Sequence, residues 1–159
     1  LSAALLRVGE FNAALAGGST HADAVAWAEA NIPPGSTVLQ HGPLALLPRE
    51  GSPVRVVGMR EEYANFGRRD TRVRDHRMRS LDEWIATERV DFVVIDSRMA
   101  DRYYEPTSIR LYPEMTASYR AFFDEARSRG SVVYEIRPER WKRAGPRVEI
   151  YDVRALRGS

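Results

Sequence analysis

One run of residues constrains this chain more than any other: Val90-Asp91-Phe92-Val93-Val94-Ile95-Asp96-Ser97-Arg98. Its apolar middle is the length of a strand and is too continuous for a half-exposed one, so it reads as a strand buried on both faces. Such strands lie in sheets covered by helices. The abrupt change to polar residues puts Asp96 and Ser97 at the strand's carboxyl end. In open α/β sheets that end is where ligands and chemistry gather.

The flanking segments supply the other layers. A helix is expected from about Thr20 to Asn31, with Thr20 as its cap and Asp23 at the positive end of its dipole. Val25, Ala28 and Ile32 form its buried stripe, with Trp27 beside it, and Pro33-Pro34-Gly35 stops it. Strands are expected near 36–41 and 54–59, with a short apolar piece at 44–47 between them. Residues 61–79 show no period and read as an irregular excursion. Ser80 and Glu83 form a capping-box pattern that opens a helix to about Glu88, with Leu81, Trp84 and Ile85 turned inward.

Pro113 starts the longest helix. Met115, Tyr119, Phe122, Phe123 and Ala126 share one face of it, and Gly130 ends it. Strands near 131–137 and 147–153 follow, joined closely enough to pair antiparallel. The fold class expected is therefore α/β: a layered sandwich with a mixed, mostly parallel central sheet and an antiparallel C-terminal edge pair. Residues 1–19 read as a linker or membrane-proximal lead, and 20–157 as a single domain.

Composition narrows the function classes. Cysteine is absent, which excludes disulfides, thiol catalysis and cysteine-ligated metal. A net charge of +2 is too small to argue for nucleic acid. No apolar run reaches the roughly 18 residues of a membrane span. The three histidines are scattered, so no metal site is expected, and no phosphate-loop, dinucleotide or nucleophile-elbow motif occurs. The chain opens on Leu1 without an initiator methionine, and we expect it to be a piece of a longer protein.

Two groups are candidates for binding. Asp96, Ser97, Arg98, Arg102 and Tyr103 suit a ligand edge: carboxylate and hydroxyl for sugar hydroxyls, arginine for a phosphate, an aromatic ring for a sugar face. Tyr104 and Trp141, also in expected loops, offer further stacking surfaces. The competing reading makes Asp96 and Ser97 caps of the next turn and pairs Arg102 with Asp101. Arg68, Arg69, Arg72, Arg74, Arg77 and Arg79 stand against only Asp70 and Asp75, a local charge of +4 suited to anionic lipid headgroups. The bland reading there is a solvated loop.

Several words in the chain resemble the soluble C-terminal region of large bacterial and archaeal membrane glycosyltransferases. These are the relatives of dolichyl-phosphate-mannose protein mannosyltransferases and of the lipid-A aminoarabinose transferase. The words are Trp27 through Leu39 with its Asn-Ile-Pro-Pro-Gly-Ser turn, Val90 through Ser97, Arg102-Tyr103-Tyr104, Tyr112 through Phe123, and Gly145 through Tyr151. They span about residues 20–153. Asp96 departs from the small hydroxyl residue common there, and the Arg68–Arg79 excursion has no counterpart.

The resemblance implies an accessory domain on the extracytoplasmic face of the cell membrane. Its implied partner is the membrane half of the same polypeptide, which carries the catalytic acids and binds the polyprenyl-phosphate sugar. Anionic lipid or a glycan acceptor are further partners. No catalytic residue and no cofactor are expected in this domain. The alternatives are a free-standing soluble enzyme using Asp96, or a protein-interaction module.

Overall fold

The computed structural model describes residues 18–40, 53–58, 77–140 and 142–158. Five strands form one open sheet: β1 (Thr37–Gln40), β2 (Arg55–Gly58), β3 (Phe92–Asp96), β4 (Ser131–Ile136) and β5 (Val148–Asp152). Their order is β2-β1-β3-β5-β4. β1 runs parallel to both its neighbours, while β5 runs antiparallel to β3 and to β4. The α/β class and the antiparallel C-terminal pair are as the residue pattern implied.

All five residues of β3 are buried, because helices cover both faces of the sheet. Strand alternation divides its side chains between two cores. Val93 and Ile95 face α2 (Leu81–Glu88) and α5 (Pro113–Arg129), packing with Leu39, Trp84, Phe123 and Tyr151. Phe92 and Val94 face α1 (Thr20–Asn31), packing with Ala24, Ala28, Ile32 and Ile150. The alanines let α1 approach the sheet closely, and Trp27 stacks on Tyr134 of β4 with ring centroids 4.8 Å apart.

Two helix ends and one helix face explain local details. Ser19, not Thr20, caps α1: it is the residue in extended backbone, and its Oγ accepts from the Ala22 amide at 3.1 Å. Thr20 is thereby the first helical residue, and the buried row falls four apart at Thr20, Ala24 and Ala28. Val25, expected in that stripe, is only half-buried. The Ser80–Glu83 capping box forms as the spacing implied, with the Glu83 amide donating to Ser80 Oγ at 3.2 Å and the Ser80 amide to Glu83 at 2.7 Å. Met115, Tyr119, Phe122, Phe123 and Ala126 are all buried on one side of α5.

Between β3 and α5 the chain makes three short helical pieces. These are α3 (Ser97–Ala100), a 3-10 turn (Asp101–Tyr104) and α4 (Pro106–Leu111). Residues 1–17 of the expected 1–19 lead, the apolar piece 44–47 and most of the 61–79 excursion lie outside the described residues.

Candidate functional site

Gln40, the last described residue of β1, pairs with Val94, two residues before Asp96 at the carboxyl end of β3. With β1 flanked by β2 and β3, the crevice beyond β1 and β3 is where a ligand of an open α/β sheet would sit.

Asp96 reaches that edge but is only 2% exposed. Its backbone is extended and it caps α3, with Oδ1 accepting from the Arg98 amide at 2.8 Å. Its Oδ2 accepts from His21 Nε2, in the first turn of α1, at 2.9 Å. A carboxylate only accepts, so this contact places the ring hydrogen on Nε2. The imidazole keeps 23% of its surface.

Ser97 clasps β3 to the start of β5. Its amide donates to the Arg147 carbonyl at 2.9 Å, and its Oγ accepts from the Arg147 amide at 3.0 Å. Just before Arg147, Gly145 sits at φ +124° against Thr20, whose amide donates to the Ala144 carbonyl at 2.9 Å. The start of α1, the end of β3 and the loop entering β5 therefore form one junction.

The five candidate edge residues separate on folding. Asp96 and Ser97 serve the junction. Arg98 and Arg102 are exposed, and among the described residues neither guanidinium meets a carboxylate, so the Arg102–Asp101 pairing does not form. Tyr103 requires a correction. It was a candidate surface contact, yet it is 3% exposed and stacks flat on Tyr119 at 4.2 Å. The 3-10 turn after α3 rolls its ring into the core. Tyr104, half-buried, donates to Asp124 at 2.7 Å. Burial first, then Asp124, pushes its phenol up to about 12.

Of the arginine cluster, Arg68, Arg69, Arg72 and Arg74 lie outside the described residues, as does Trp141. Arg77 is exposed. Arg79 folds back, its guanidinium 3.5 Å from the centre of the Trp84 ring and donating to Thr87 Oγ1 at 3.3 Å. That cation–π contact ties it to α2.

On the opposite face of the same edge, Glu149 is buried beside Ile95. It accepts from Arg127 at 3.1 Å and from the Tyr151 hydroxyl at 3.1 Å. Burial, followed by Glu149, pushes the Tyr151 phenol up to about 12. This network satisfies a buried carboxylate, a structural duty.

His21 was not among the sequence candidates. Its partner lies 75 residues away, and no local spacing announces such a contact. Among the described residues no group of three or more His, Asp or Glu side chains suits a metal ion, and no helix is long and apolar enough to cross a membrane. Set against family models, curated proteins and solved structures, the chain matches none.

Proposed function

We propose that this chain is an extracytoplasmic, non-catalytic accessory domain of a polyprenyl-phosphate-sugar-dependent membrane glycosyltransferase. In this reading it helps position the acceptor or brace the membrane half of the same polypeptide. The observation that carries the non-catalytic part is the state of Asp96. Each carboxylate oxygen accepts a bond from within the domain and the residue is 2% exposed, which favours a fastening over a group offered to a substrate. The membrane-enzyme part rests on the resemblance of the Asn31-to-Ser36 turn, the β3 words and the Gly145-to-Tyr151 strand. Contact with anionic lipid or a glycan acceptor belongs to the same proposal.

A second reading has one observation in its favour. The Asp96–His21 pair is also how a carboxylate orients a working imidazole, and the His21 ring is partly open. A soluble enzyme of that kind would lose turnover in Asp96→Asn.

The parent reading frame separates the two. Several apolar segments of about 20 residues upstream of Leu1 are the expected result. A start codon immediately before Leu1 contradicts the accessory-domain reading.

A further inference from the structure

The geometry points to a phosphate-monoester site at the other end of the sheet, in the open cavity between α2, the end of α5 and the C-terminal 3-10 turn (Arg154–Gly158). The cavity measures about 670 Å³. Three guanidinium groups line it, those of Arg89, Arg129 and Arg157, over an apolar floor of Ile85, Ala86 and Leu156.

Two of the arginines are held in place. Arg129 grips Asp82, the one carboxylate in the lining, at 2.9 and 3.0 Å, and also pairs with Glu125. Arg157 meets Asp91 at 2.7 Å and donates to the Arg89 carbonyl. Arg89 differs from both. It caps α2 in the left-handed region, φ 56°, a position that glycine fills at least cost. Among the described residues its guanidinium has no partner, although it borders a cavity with two other cations.

Arg129 and Arg157 already meet Asp82, Glu125 and Asp91, so Arg89 is the lining cation left for a ligand. An oxyanion with several acceptor oxygens takes the Arg89 fork together with N–H groups that the other two leave unused. The apolar floor suits a short aliphatic group esterified to that phosphate. A soluble phosphate ester and a lipid headgroup share this chemistry. The site does not depend on the Asp96 edge or on the glycosyltransferase reading.

Calorimetric titration of the 159-residue chain with hexyl phosphate and with inorganic phosphate tests the site. Arg89→Gly is the informative variant, because glycine suits the backbone there and leaves Arg129 and Arg157 untouched. Hexyl phosphate should bind more tightly than inorganic phosphate. Arg89→Gly should weaken both by about tenfold or more, the scale of one charge-assisted contact, while its urea-unfolding midpoint holds or rises. Sedimentation with phosphatidylcholine vesicles containing phosphatidic acid then identifies the source: co-sedimentation lost in Arg89→Gly assigns a lipid headgroup, and its absence assigns a soluble ester. No binding of hexyl phosphate, or equal binding by Arg89→Gly, overturns the proposal.

Discussion

His21 Nε2 lies 2.9 Å from Asp96 Oδ2, joining the first turn of α1 to the end of β3 across 75 residues of sequence. The contact converts a strand end of the kind that usually serves chemistry into a fastening. Asp96 gives one oxygen to the cap of α3 and the other to His21 of α1, tying the strand end to both helices.

If Asp96 is a fastening, its substitutions should read as stability. Asp96→Ala removes both the cap and the His21 partner and should cost about 2–4 kcal/mol. Asp96→Asn keeps an acceptor for the Arg98 amide and should cost only about 1 kcal/mol. Urea unfolding followed by circular dichroism measures both. Equal stability of wild type and Asp96→Ala would remove the structural role assigned here.

Glu149 gives a second case of a buried charge whose value lies in its partner. Arg127→Met leaves that carboxylate without its main cation and should destabilise by about 3 kcal/mol, since Arg147 approaches only to 3.8 Å. Adding Glu149→Gln should restore most of the loss, because a neutral amide still accepts from Tyr151. A double-mutant cycle in urea reads the coupling, and additive losses would contradict it.

The tyrosines next to these carboxylates should titrate late. Tyr104 and Tyr151 are held at about 12 by burial and by Asp124 and Glu149, against an ordinary value of 10.0. Between pH 10 and 12 the unfolded chain releases these protons while the folded chain keeps them. Their contribution is therefore complete below pH 10 and lost as pH rises toward 12. Ultraviolet phenolate absorbance should show a late phase in native protein that shrinks in Tyr104→Phe and again in Tyr151→Phe. A native titration already complete near pH 11 refutes the assignment.

Gly145 tolerates no side chain for two reasons. Its φ of +124° lies in a region that L-residues rarely adopt, and a Cβ there would collide with the Thr20 hydroxyl. Gly145→Ala should cost about 3 kcal/mol or more through strain and displacement of α1. Adding Thr20→Ala should recover part of this, the collision but not the backbone term. Thermal unfolding of the wild type and the two variants checks the order.

The parts of this architecture that were legible in sequence are those encoded locally. The apolar run to Asp96, the Ser80–Glu83 box and the Met115-to-Ala126 face each lie within one element, and each formed. What was not legible depends on contacts between distant segments. His21 looked scattered because its partner is on another strand. Tyr103 looked exposed because the pieces after Asp96 are at most six residues long, too short to show a helical period that would have turned its ring inward. Thr20 lost its capping role to Ser19 by a single residue, the usual uncertainty of helix ends.

The claim that this domain rides on a membrane enzyme is tested most directly by locating it in its native cells. An antibody against residues 77–140 should detect it in the membrane fraction, on a polypeptide large enough to carry several spans. Protease added outside right-side-out vesicles should digest it. Recovery of the antigen from the soluble fraction, as a polypeptide no larger than this 159-residue chain, would contradict the account.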